Sequence, residues 1–163
     1  MRGLFTFPDS VNEYAARFVA GGVVILCATT LATGWWWLLV PLAYGFLARV
    51  ASGPRFSPLA IVVTRGIVPR LPLEPRPTPG APKRFAQGIG ATLAVAALVS
   101  WAFGATTLAG VFVAFILVAA SLESMLGYCL GCAIFAQLMR RGVIPQSVCE
   151  ECADISRRIG AAA

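Results

Sequence analysis

The chain is 163 residues long, 58% hydrophobic and 12% charged, with a net charge of +6, and its mean hydropathy is +0.80. So few polar groups cannot coat a soluble globule, so the class is an integral membrane protein of one domain, residues 1–163. Histidine is absent, which removes the commonest general base and nitrogen metal ligand, and with them imidazole-based hydrolases, His-ligated zinc or iron and His-held haem. The basic residues stand at the ends of apolar runs, where anionic head groups answer them, and nucleic acid is excluded as a partner.

Residues 1–16 carry Asp9 and Glu13 and lack a basic signal-peptide start, so the first apolar run reads as a retained span. A membrane helix needs about 20 apolar residues. Four runs approach or exceed that length, at residues 18–33, 35–50, 85–103 and 107–139. Gly34 joins the first two and Gly104-Ala105-Thr106 the last two, giving two helical hairpins. The predicted fold is all-α, a four-helix transmembrane bundle. The fourth run is too long for a hydrocarbon core of about 30 Å and must tilt, break or project.

Arg2 and Arg17 precede the first run, Arg49, Arg55, Arg65, Arg70, Arg76, Lys83 and Arg84 fill the middle, and Arg140, Arg141, Arg157 and Arg158 follow the last. Both hairpin turns are uncharged. The positive-inside rule then places both termini and the loop at 51–84 in the cytoplasm of a bacterial plasma membrane. Trp35, Trp36, Trp37 and Trp101 mark the outer interface.

Within the loop, Ser57-Pro58 opens a short interfacial helix over residues 59–68, with an irregular loop as the alternative. Pro72, Pro75, Pro77, Pro79 and Pro82 make residues 71–82 an extended strap. In the tail, residues 140–163, Pro145 stops the last span. Ser147 and Glu150 have capping-box spacing and predict a short cytoplasmic helix over residues 148–159.

Four of the five cysteines form two CxxC pairs, Cys129/Cys132 and Cys149/Cys152. Thiols three residues apart can close a disulfide, pass sulfur, or grip a soft metal. On one continuous helix Cys129 and Cys132 share a face, while Gly127 and Gly131 form a GxxxG seam on another. Glu123, the lone carboxylate deep in a run, falls on the glycine side, away from the thiols. Its roles are a helix-to-helix hydrogen bond or, with Tyr128 of the same cassette, substrate binding. Cys149 sits in the first turn of its helix, where the dipole favours thiolate and the charges of Glu150 and Glu151 oppose it. No cofactor is required. The C-x2-C-x16-C-x2-C spacing nevertheless allows zinc or an iron–sulfur cluster held by Cys129, Cys132, Cys149 and Cys152. Cys27 reads as packing.

The segment Pro82-Lys83-Arg84-Phe85-Ala86-Gln87-Gly88-Ile89-Gly90, the cassette Gly127-Tyr128-Cys129-Leu130-Gly131-Cys132 and the stretch around Ser57-Pro58-Leu59 together resemble a family of small bacterial membrane proteins. The family is of actinobacterial type and catalogued only as a domain of unknown function. The resemblance covers nearly the whole chain and implies company with thioredoxin-like or rhodanese-like sulfur proteins. The expected function is a cytoplasm-facing membrane thiol protein, with Cys129, Cys132, Cys149 and Cys152 as reacting residues. They would handle redox equivalents or sulfane sulfur with such a soluble partner. The alternatives are a small sulfur-solute transport component, for which a homo-oligomer is expected, and a non-catalytic membrane scaffold or accessory subunit. A quinone-linked disulfide-forming enzyme fits less well, because it needs thiols at the outer turns, which have none.

Overall fold

The computed structural model describes residues 10–72, 76–145 and 148. Asn12 accepts the Tyr14 N–H on its Oδ1 at 3.1 Å and so caps α1 (Glu13–Thr33), which Gly34 ends in a left-handed turn whose N–H returns to Thr30 O. At 21 residues, α1 reaches about 32 Å, the thickness of a hydrocarbon core. After a 3-10 turn at Trp36–Leu38 comes α2 (Leu39–Ser52). Next come a short helix, α3 (Pro58–Ile61), and its π and 3-10 continuations through Arg70. Beyond the strap lie α4 (Gly80–Ala102), α5 (Thr106–Ser121), a π turn at Leu122–Leu126, and α6 (Leu130–Arg140).

The described chain is mostly helical and contains three helices long and apolar enough to cross a membrane: Glu13–Thr33, Gly80–Ala102 and Thr106–Leu126. The second expected span, 35–50, is realised as the 3-10 turn Trp36–Leu38 running directly into the 14-residue α2, shorter than the three helices above. The fourth expected run does not continue to residue 139. It breaks between Leu126 and Leu130, because Gly127 adopts φ 69°, a conformation that costs a side-chain-bearing residue about 1–2 kcal/mol. The Gly127/Gly131 seam therefore does not exist as one helix face. Gly131 still lets α6 close directly onto Ala86 of α4.

The strap is also shorter than expected. Pro77–Pro79 pairs antiparallel with Ser10–Asn12, as β2 and β1, and Pro82 lies inside the first turn of α4, where its missing N–H costs no hydrogen bond. A helical run does form from Pro58 to Arg70, where the sequence places a short helix, but Ser57 does not cap it with its side chain. The expected tail helix over 148–159 lies outside the described residues apart from Val148.

Neighbouring helices follow the order α1, α5, α4, α2, with α6 packed on α4 and little contact between α1 and α2. The first pair is thus joined by a tight turn yet splayed. Small residues allow the close approach: Ala94, Ala97 and Ala109 are fully buried, beside Cys27, Leu39 and Val113. Cys27 is core packing, as expected from its mid-span position. The gap left by the splay becomes the cleft described next.

Candidate functional site

The break after Leu126 makes the site. Once Gly127 turns the chain, Cys129 takes an extended conformation and becomes the N-cap of α6. Its Sγ accepts the Cys132 backbone N–H at 3.3 Å, and its carbonyl accepts the first helical bond, from Ala133. Cys132 Sγ stands 2.6 Å from Cys129 Sγ, well inside the separation of unrelated sulfurs and longer than the roughly 2.03–2.05 Å of a disulfide. Both are free, half-buried thiols. Past the end of the third candidate span, Cys129 is held below the ordinary thiol value, chiefly by its hydrogen bond from Cys132; burial and Glu123 oppose this, and Lys83 assists it. A helix N-terminus favours the thiolate for the same electrostatic reason.

Glu123 is not remote from this pair. The expectation that it faces away assumed a straight helix; the break returns the thiols to its side, and its charge acts on both. Its partner is Lys83 in the first turn of α4, with Nζ bonded to Oε1 and side chains 9% and 15% exposed. This is a buried ion pair, and such a pair persists only with good geometry. Arg17 of α1 holds the break from the other side. Its Nε and Nη2 donate to Ser124 O, each at 3.3 Å, and Nη2 also donates to Met125 O at 3.0 Å. Those carbonyls belong to a turn that cannot continue its helix, so a cation there satisfies them. Tyr128 lies beside the thiols but is 52% exposed, as are Met125 and Leu126 at 77% and 73%. The three are exposed side chains of the break itself.

Behind the thiols, a cleft of about 390 Å³ runs between α1, α2, α4, α5 and α6, and Cys129, Glu123, Gln87 and Arg49 line it. A second cavity of about 220 Å³ lies against the strand pair and shares Arg49 and Gln87 with the first. Cys149 and Cys152 lie outside the described residues, and the four-thiolate metal site goes with them. Among the described residues no group of three His, Cys, Asp or Glu side chains is arranged to hold a metal ion. Sequence reasoning missed Lys83, Arg49 and Arg17 as site residues, having read all three as charges of the inner loop and terminus. One signal was available: a carboxylate deep in an apolar run needs a cation, and Lys83 is the chain's one lysine.

No curated protein and no solved structure matches this sequence. A family model does match, over residues 11–140, which takes in the strand pair, the break and both thiols. The chain therefore belongs to the DUF4395 family, a domain of unknown function.

Proposed function

We propose that this protein is a membrane thiol protein that exchanges reducing equivalents or sulfane sulfur with a soluble thioredoxin-like or rhodanese-like partner. One observation carries the reading: two free thiols meet at a helix N-terminus, within reach of a buried ion pair. The arrangement suits Cys129 as nucleophile and Cys132 as resolving thiol.

In the redox direction, the Cys129 thiolate attacks one sulfur of the partner's disulfide. That S–S bond breaks, and the partner's other sulfur leaves as thiolate and takes a proton. Cys132 gives its proton to the Lys83–Glu123 pair and attacks Cys129 Sγ, the mixed disulfide breaks, and the partner's sulfur leaves as thiolate and takes that proton. The partner departs as a dithiol, two electrons richer, and this chain is left with a Cys129–Cys132 disulfide. In the sulfur direction, Cys129 attacks the outer sulfur of a persulfide, becomes a persulfide itself and releases the partner's thiolate, with no net oxidation.

The arginine pattern supports a four-helix arrangement in a bacterial plasma membrane, with both termini and the basic connection in the cytoplasm. The thiols stand at that same end, since Arg17 near the start of α1 and Lys83 at the start of α4 both reach the break. A reducing compartment keeps such a pair as a dithiol at rest.

Trapping tests the proposal. Cys132→Ser is expected to accumulate a mixed disulfide with a thioredoxin-like protein in membranes, or a Cys129 adduct heavier by one sulfur after exposure to a persulfide donor. Absence of both, together with alkylation patterns unchanged by oxidant, overturns it. A second reading, a small sulfur-solute transport component, gains support from the two cavities that meet at Arg49 and Gln87. Uptake of a sulfur solute into proteoliposomes, abolished by Glu123→Gln, would favour it.

A further inference from the structure

Arg49 is the charge that thiol chemistry leaves unused. It lies in the last turn of α2 and is 6% exposed. Its Nε donates to Gln87 Oε1 at 2.8 Å, its Nη1 donates to Ser57 Oγ at 3.2 Å, and its guanidinium carbon stands 4.5 Å from the centre of the Phe46 ring. All these partners are neutral. Nη2 makes no hydrogen bond among the described residues. The one carboxylate among them whose field reaches Arg49 is Glu123, already ion-paired with Lys83. Among the described residues two buried cations thus share a single anion. A charge taken out of water is offset only by a well-placed counter-charge, and among the described residues the arrangement is one negative charge short.

The cleft beside Arg49 limits the form a counter-charge can take. Its volume, about 390 Å³, falls in the range of about 300–1,000 Å³ typical of small-molecule sites. Away from Arg49, Gln87 and Glu123 its walls are apolar, with Val23, Leu93 and Ile116 deep, and Phe115 and Ile134, both exposed, toward the mouth. A neutral apolar ligand would fill the walls and leave Arg49 unanswered. A small hydrophilic anion would answer Arg49 and leave the walls wet.

We infer that the cleft binds an amphipathic anion, with a carboxylate-type head on Arg49 and an aliphatic body along the walls, entering from the lipid-facing side past Phe115 and Ile134. This goes beyond the thiol exchange and does not require it, although such a ligand would lie next to Cys129.

Competition photolabelling on the full chain in neutral-lipid nanodiscs tests the inference. The probe is a dodecanoic acid bearing a diazirine, and excess laurate, dodecanol and thiosulfate are the competitors. Laurate is expected to suppress labelling of α4, α5 and α6 at least tenfold more effectively than dodecanol, and thiosulfate not at all. Arg49→Gln is expected to abolish the laurate preference, while the double variant Cys129→Ser/Cys132→Ser keeps it, which separates failure here from failure of the thiol reading. Equal competition by laurate and dodecanol overturns the role of Arg49, and does so on the native protein even if Arg49→Gln does not fold. Competition by thiosulfate as strong as that by laurate overturns the aliphatic body, assigning the site to a soluble oxyanion.

Discussion

At Gly104 and at Gly127 the backbone takes the same left-handed conformation, with φ 80° and 69°, yet the surroundings differ. The Gly104 turn closes on itself: Gly104 N–H bonds to Trp101 O and Ala105 N–H to Ser100 O. Nothing would stand within 4 Å of a side chain added there, and Phe103 beside it is 86% exposed. The Gly127 break is held from outside, by Arg17 across 107 residues and by the Lys83–Glu123 pair across 40. A plain reversal needs only local bonds. An interruption braced by cations from two other helices is a place where the fold positions something, and here it positions two thiols.

That contrast can be broken in graded ways. The largest effect is expected from Lys83→Met, which strands Glu123 as an uncompensated buried charge and costs about 3–5 kcal/mol. Lys83→Met/Glu123→Leu together should recover most of it, and unfolding in mixed detergent micelles measures both. Arg17→Ala removes charge-assisted bonds worth about 1.5–3 kcal/mol, loosens the break, and should slow the reaction of Cys129 with a disulfide reagent severalfold while α4 and α5 remain folded. Gly127→Ala carries about 1–2 kcal/mol of backbone strain; it should lower stability by that amount and also alter the relative alkylation rates of Cys129 and Cys132. Gly104→Ala carries the same strain and should leave both alkylation rates unchanged. Equal thiol effects from the two glycine variants would remove the distinction between turn and site.

The sequence makes some of this legible and hides the rest for physical reasons. Gly34 and Gly104 are readable as turns because each separates two apolar runs and carries its signal locally. The closeness of Cys129 and Cys132 is readable too, since three-residue spacing brings them together at a helix N-cap as well as within a helix. Glu123 is misread because its direction depends on whether the helix continues through Gly127, and an apolar run gives no local reason to stop. The 14-residue length of α2 is hidden similarly: Trp36–Leu38 are apolar but wound as a 3-10 turn. The pairing of Ser10–Asn12 with Pro77–Pro79 is beyond any local reading. Two three-residue segments, one of them with prolines at both ends, carry almost no strand signal and join only because the helices they precede, α1 and α4, both pack on α5.

That small clasp sets the height of two helices at once. Asn12 leads directly into α1 and Pro79 directly into α4, with Asn12 opposite Pro77 and Ser10 opposite Pro79, so any change of register shifts the start of α1 relative to the start of α4 by about 3.3 Å per residue. Arg17 and Lys83, five and four residues downstream, reach the same π turn from those two helices. Deleting a single residue from either strand would therefore put one cation out of step with the other, and a lesion in the least conspicuous part of the molecule would be felt at its sulfurs.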